Sequence, residues 1–289
     1  MTIPITGHTG FTGLLGTPVK HSISPLMHNE SFRQLGLDFV YLCFDVREEQ
    51  LETAVAGLKA AGIAGFNLTM PCKNRMAQLC DELSPAASLI GAVNTVVHTD
   101  GKLIGHNTDG IGFWRSAEEA GFSVPDKTVT LMGMGGAATA IAVQAALDGV
   151  KELNIFARPT SRFWNRAVTL TDSLNQQTSS QVRLFEQQDT TALNHALDTS
   201  DLLVNGTSVG MAPHTDATIL PDVSPLHPEL TVADVIYNPR ETLLLRQAKE
   251  AGCKTFNGMY MLLYQGAEAF RLWTGQEMPV EHIKQMYFK

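Results

Sequence analysis

Three stretches of this 289-residue chain carry residue types at spacings that could do chemistry. The first is Gly133-Met134-Gly135-Gly136-Ala137-Ala138, set between the apolar run Val129 to Met132 and the alanine-rich stretch Ala137 to Leu147, which stops at Gly149. Gly133, Gly135 and Ala138 fit the spacing G-x-G-x-x-G/A. There the first residue makes a tight turn, the second admits backbone N–H groups close to a pyrophosphate, and the third keeps helix near strand. The helix N-terminus adds free N–H groups and partial positive charge. A plain tight turn is the competing reading, and the strand-turn-helix setting favours a dinucleotide. The second stretch is Ser22-Ile23-Ser24-Pro25. Ser24 is expected as the N-cap, with Pro25 at the first helical position, of a helix that stops at Gly36. Two hydroxyls then lie where a helix end favours a carboxylate, against the alternative that Ser24 only caps. The third is Asn67-Leu68-Thr69-Met70-Pro71-Cys72-Lys73. Met70 is held extended by the proline after it, so Thr69 and Lys73 sit at the exit of a strand, the edge at which open α/β sheets bind ligands. A solvated amine is the bland alternative for Lys73.

The glycine fingerprint requires a second strand whose end meets the adenosine ribose, and Glu152 to Ala157 supplies it. An NAD site places Asp or Glu there for the ribose hydroxyl. This chain has Arg158-Pro159-Thr160-Ser161-Arg162 instead, two guanidiniums flanking two hydroxyls, which suits a 2′-phosphate and leans toward NADP over NAD. The alternative is a solvated basic turn. Cys43, Cys72, Cys80 and Cys253 show no C-x-x-C spacing, and the nine histidines show no ligand spacing. Reduced thiols and no metal are expected.

These residues need elements to position them. Strands are expected within Ile3 to Thr17, at Phe39 to Val46 and at Ile63 to Leu68, with a helix from Glu48 to Ala61 ended by Gly62; the short strand-helix-strand connection implies parallel pairing. Ala92 to His98 and Lys102 to Gly105 flank Thr99-Asp100-Gly101, a hairpin signal. His106 to Gly110 is polar and loop-like before a helix from Ile111 to Ala120, where Asp109 is either a functional carboxylate or a cap. Phe122 to Asp126 has linker composition. Later strands are expected at Gln181 to Phe185, Asp201 to Val204, Leu230 to Tyr237 and Lys254 to Phe256, with a long loop from Ala212 to Pro228. Helices are expected at Thr242 to Ala251, Met259 to Trp273 and Val280 to Tyr287. The net charge of −8 argues against nucleic acid or an anionic membrane as the main partner. No leader and no apolar run of about eighteen residues is visible, so no membrane partner and a cytoplasmic location are expected.

Taken jointly, the patches resemble the shikimate dehydrogenase family over nearly the whole chain. The motifs are S-I-S-P-L-M-H-N at 22–29, N-L-T-M-P-C-K at 67–73, G-A-V-N-T at 91–95 and N-T-D-G-x-G at 107–112. They continue with G-M-G-G-A at 133–137, N-G-T-S-V-G-M at 205–211, D-V-I-Y-N-P at 234–239 and M-L-L-Y-Q-G-A at 261–267. The second half is especially similar to the quinate/shikimate dehydrogenase branch. The resemblance implies an α/β protein of two domains with a cleft between them. One is a substrate domain with a mainly parallel sheet, expected at 1–112 and completed by 243–289; the other is a Rossmann-type NAD(P) domain, expected at 113–242. It also implies reversible oxidation of the 3-hydroxyl of shikimate to 3-dehydroshikimate, and commonly a homodimer.

By position, the resemblance assigns Ser22 and Ser24 to the substrate carboxylate, Lys73 and Asp109 to the catalytic pair, and Thr69, Asn94 and Gln265 to ring hydroxyls, with Tyr237 lining the same site. Cofactor positions carried over are Gly133, Met134, Gly135, Gly136, Ala137, Arg158, Thr160, Arg162, Thr207, Ser208, Val235, Gly258 and Met261. The roles make chemical sense, because loss of hydride from a carbinol carbon requires a base within reach of the hydroxyl proton. The family's NADP-type pattern N-R-T-x-x-R is here Ala157-Arg158-Pro159-Thr160-Ser161-Arg162, which keeps both arginines and loses the asparagine and first threonine. The acidic residue of the NAD-using quinate branch is absent. Two rivals stand beside the shikimate reading: a dehydrogenase preferring quinate and NAD, and a non-catalytic cofactor-binding regulator, which would lack Lys73 or Asp109.

Overall fold

The computed structural model describes residues 4–288, so Ile3 lies outside the described residues. These divide into two compact units: one runs up to Thr108 and resumes at Leu263, and the other is Asp109–Leu262.

The first unit opens with β1 (Gly10–Gly16), α1 (Ser24–Leu35), β2 (Phe39–Asp45), α2 (Leu51–Ala60) and β3 (Gly65–Leu68). Next come α3 (Lys73–Ala77), β4 (Glu82–Leu83), α4 (Pro85–Ile90), β5 (Thr95–Thr99) and β6 (Lys102–His106). Its sheet runs β2-β1-β3-β5-β6-β4. β1 pairs parallel with both β2 and β3, as the short crossovers require, whereas β5 is antiparallel to β3 and β6. Asp100 (φ 49°) and Gly101 (φ 74°) make the tight turn between β5 and β6, both in the left-handed conformation that a two-residue hairpin loop demands. Leu15, Leu51, Ile63, Phe66, Met76 and Val96 form the core beneath this sheet.

The second unit contains α5 (Asp109–Glu119), β7 (Thr128–Met132), α6 (Gly136–Leu147), β8 (Glu152–Ala157), α7 (Trp164–Gln177) and β9 (Gln181–Glu186). It continues with α8 (Thr190–Thr199), β10 (Leu202–Asn205), β11 (Thr231–Asp234), α9 (Leu243–Glu250) and β12 (Lys254–Asn257). The wholly parallel sheet runs β12-β11-β10-β7-β8-β9, a doubly wound Rossmann order whose direction reverses between β7 and β10. The inner strands are mainly apolar because helices cover both faces of such a sheet, and β10 is buried along its whole length, whereas the edge strands β9 and β12 carry polar residues. The chain ends with α10 (Met259–Thr274) and α11 (Val280–Tyr287).

Two sequence expectations need adjustment. The substrate domain was expected at 1–112 with 243–289, but α9 and β12 belong to the second unit, since β12 completes the parallel sheet beside β11. The first boundary falls at 108/109, because Gly110 and Trp114 tie α5 to α6: an added Cβ at Gly110 would lie 2.4 Å from the Ala140 carbonyl oxygen, and Trp114 Nε1 donates to Ile141 O at 3.1 Å. Ser24 is also not the N-cap. Ile23 already has right-handed helical geometry and its carbonyl accepts from Leu26 and Met27, so Ser24 is the first helical residue, with a buried side chain and no capping bond.

Candidate active site

Within the first unit, the carboxyl edge of the sheet gathers the polar residues. Thr69 follows β3 directly and packs on Gly16 at the end of β1, where an added Cβ would lie 2.4 Å from the Thr69 methyl. Gly16 also has φ +150°, so a side chain there would strain the backbone as well as strike Thr69. Lys73 is the first residue of α3 and half-buried, and its carbonyl accepts from Val93 N at 2.9 Å, which ties α3 to the segment leading into β5. Ser22 Oγ accepts from Ser24 N at 3.2 Å, so the two serines form one local turn ahead of α1.

Asn94 is buried and fully engaged. Its Oδ1 accepts from Thr108 N (2.8 Å) and Thr95 Oγ1 (3.0 Å), and its Nδ2 donates to Thr108 Oγ1 (3.0 Å) and Gln265 Oε1 (3.5 Å). Thr108 Oγ1 also donates to Gln265 O at 3.0 Å, which holds the middle of α10 against the end of β6. Such a buried polar set is stable only when its members satisfy one another. The residues expected to bind ring hydroxyls, Asn94 and Gln265, are therefore fixed by the protein itself.

In the second unit the glycine turn joins β7 to α6. Gly133 has φ +95° and approaches the Thr207 methyl at 2.7 Å from its would-be Cβ, while Gly206 approaches Ala138 Cβ at 2.6 Å. The exits of β7 and β10 thus touch at the point where the strand order reverses. Gly135 precedes α6 in an extended conformation with no side-chain cap, leaving the helix N–H groups directed to a ligand. Gly133, Met134, Gly135, Gly206, Thr207 and Ser208 line a pocket of about 290 Å³ whose other wall is Ala157, Arg158, Ser161, Phe163, Trp164 and Gln187. Such a shape, glycine backbone on one side and a guanidinium with a hydroxyl on the other, fits a dinucleotide carrying an extra phosphate.

Of the basic turn, Arg158 and Ser161 line the pocket. Thr160 and Arg162 are exposed and outside its lining, and the Arg162 guanidinium stacks 4.7 Å over the Phe163 ring. Phe163, Trp164 and Gln187 escaped the sequence reading; Gln187 follows β9 and reaches the site only because β9 pairs with β8. Val235 and Gly258 are neighbours: a Cβ at 258 would lie 1.9 Å from the Val235 carbonyl oxygen. Met261 is half-buried on the first turns of α10, and Tyr237 is exposed. Asp109 is the first residue of α5 and half-buried.

The loop bearing Thr207 is set by a second group, Asn205 and Asp234, the first residues of two of the motifs quoted above. Asn205 Oδ1 accepts from Thr207 N and Oγ1, and Asn205 Nδ2 donates to Asp234 Oδ1 at 3.1 Å. Asp234 Oδ2 accepts from Thr242 at 2.7 Å. Burial pushes the Asp234 carboxyl above the usual range, while bonds from Ile236 N, Thr242 and Asn205 pull it back. Among the described residues, the four cysteines are unpaired and no cluster of His, Cys, Asp and Glu is placed to hold a metal. No helix of the described residues is long and apolar enough to cross a membrane.

Fold and site together define a doubly wound, dinucleotide-binding α/β protein with a separate polar site on a mixed sheet. The chain matches the family described as the shikimate dehydrogenase substrate binding domain over residues 14–96, and that described as the shikimate 5′-dehydrogenase C-terminal domain over 258–285. It is 49% identical to shikimate dehydrogenase (NADP(+)) of Listeria innocua, covering 98% of this chain and 97% of the relative. To the protein of the same name from Streptococcus pyogenes it is 50% identical, covering 97% of each. A crystal structure of shikimate 5-dehydrogenase from Listeria monocytogenes in complex with shikimate and NAD superposes with a TM-score of 0.95 at 48% identity, covering 99% of both chains. The chain belongs to the shikimate dehydrogenase family. These relatives are named for shikimate, and the quinate reading is not favoured.

Proposed function

We propose that the chain catalyses the reversible NADP-dependent oxidation of the 3-hydroxyl of shikimate to 3-dehydroshikimate. The observation that carries this is full-length identity of 49% to an NADP(+) shikimate dehydrogenase, and both members of the catalytic pair, Lys73 and Asp109, are present in this sequence. The first unit takes the substrate and the second the nucleotide. Ser22 and Ser24 hold the carboxylate, Thr69, Asn94 and Gln265 take the ring hydroxyls, and Tyr237 is assigned to the substrate as well. Gly133 to Ala137, Thr207 and Ser208 receive the nucleotide's phosphates, Arg158 its 2′-phosphate with Thr160 and Arg162 nearby, and Val235, Gly258 and Met261 its nicotinamide end. A cytoplasmic homodimer is the setting that family resemblance supports.

NADP, when bound, supplies the acceptor for the hydride that leaves the carbinol carbon. The Lys73 amine takes the hydroxyl proton as the carbonyl forms, and its ammonium returns that proton in the reverse direction. Asp109, the other member of the catalytic pair, serves by orienting the reacting hydroxyl. Initial rates with shikimate and quinate, each against NAD and NADP, test the proposal. Shikimate with NADP is expected to give the highest kcat/KM; quinate with NAD as the best pairing, or no turnover in any, overturns it.

A further inference from the structure

The first unit contains a buried polar chain that begins away from the assigned residues. Tyr41 lies at the centre of β2, 1% exposed, and its phenol donates to Asn67 Oδ1 at 2.8 Å. Asn67 Nδ2 donates to Thr95 Oγ1 at 3.0 Å and Thr95 Oγ1 to Asn94 Oδ1 at 3.0 Å. Asn94 Nδ2 then donates to Gln265 Oε1, so every link runs in one direction. Burial raises the phenol pKa well above its ordinary value. The Tyr41 ring is clamped by His28, stacked at 4.4 Å and 10°, with Trp273 at 6.1 Å. A ring packed against His28 and Trp273, whose only polar atom heads a directed chain of buried hydrogen bonds ending at Gln265, has a geometry beyond what core packing needs.

We infer that Tyr41 is a positioning residue for the substrate site, its phenol fixing the Asn67 amide and, through Thr95, the Asn94 amide. The inference rests on the shikimate reading above. Tyr41→Phe keeps the ring packed on His28 and Trp273 and removes one oxygen. Loss of one buried hydrogen bond that orders two substrate contacts is expected to raise the shikimate KM about three- to tenfold. The change in kcat is expected to stay below about twofold and the NADP KM to stay put, because the nucleotide turn belongs to the other unit. Thr95→Val breaks the same chain one link further on and is expected to give the same split, and it carries the test if Tyr41→Phe does not fold. An unchanged shikimate KM, a fall in kcat alone, or equal rises in both KM values overturns the inference. A wild-type protein without shikimate turnover overturns the functional reading instead.

Discussion

Gly110→Ala is the sharpest perturbation of the proposed chemistry that removes no polar group. Gly110 follows Asp109 on α5, and an added Cβ would lie 2.4 Å from the Ala140 carbonyl oxygen and 2.6 Å from Gln144 Cβ. Both obstacles sit on or next to the backbone of α6, so neither swings aside. Restoring an ordinary contact of about 3.4 Å requires α5 to retreat by roughly 1 Å, and Asp109 retreats with it. Overpacking of this kind costs about 1–3 kcal/mol. A misplacement of about 1 Å in an orienting group costs on the order of 10² in rate. The assay is kcat at saturating shikimate and NADP, at a temperature well below the variant's unfolding midpoint. Trp114→Phe is the control: it weakens the same helix contact by removing the bond to Ile141 O without pushing α5 outward. Its kcat is expected to stay within a few-fold of wild type. A Gly110→Ala enzyme with wild-type kcat, or equal losses in the two variants, would refute the argument that Asp109 works by position.

Other expectations follow from the same geometry. Lys73→Ala is expected to cut turnover by about 10² or more while shikimate still binds, measured by single-turnover rate and equilibrium titration; near-normal turnover removes Lys73 from proton transfer. Arg158→Ala is expected to weaken NADP far more than NAD, since Arg158 lines the pocket that Arg162 leaves; equal loss for both means no contact with a 2′-phosphate. His28 is wholly buried, with neither ring nitrogen hydrogen-bonded, and burial lowers its pKa to about 3 from 6.5. A base whose folded pKa is depressed stays neutral in the fold while the unfolded chain takes up its proton, so stability is kept above pH 6.5 and falls as the pH drops from there toward 3. That amounts to about 2 kcal/mol between pH 7 and pH 5. Urea unfolding at the two pH values should show this excess loss in wild type and not in His28→Phe, and identical losses would mean that His28 titrates normally.

Local signals in the sequence carried far. The G-x-G-x-x-A turn, the Asp100-Gly101 hairpin and the α11 boundaries each depend on a few neighbouring residues, and each stands where the pattern placed it. What stayed illegible depends on partners distant in the chain. Tyr41 reads as an ordinary strand residue, and only the register of β2, β1, β3 and β5 brings its phenol to Asn67 and Thr95. Asp234 carries no role in its motif that spacing alone reveals; the pairing of β10 with β11 sets it against Asn205. β4 is only Glu82–Leu83, too short for any period, and exists because β6 offers it an edge. The early start of α1 turned on the backbone of Ile23, whose side chain gives no sign of it. The boundary near 108 was hidden for a similar reason: the linker composition of Phe122 to Asp126 lies beyond a helix that packing had already claimed for the second unit.

Trp164 in the wall of the nucleotide pocket gives the protein an optical readout of its own. The chain has three tryptophans, and the other two have their indole N–H groups committed to backbone carbonyls, Trp114 to Ile141 and Trp273 to Val96. Those two supply a steady background of emission, while the third stands where an arriving nucleotide would quench it. Occupancy of the pocket can thus be followed by intrinsic fluorescence, without a label and without turnover.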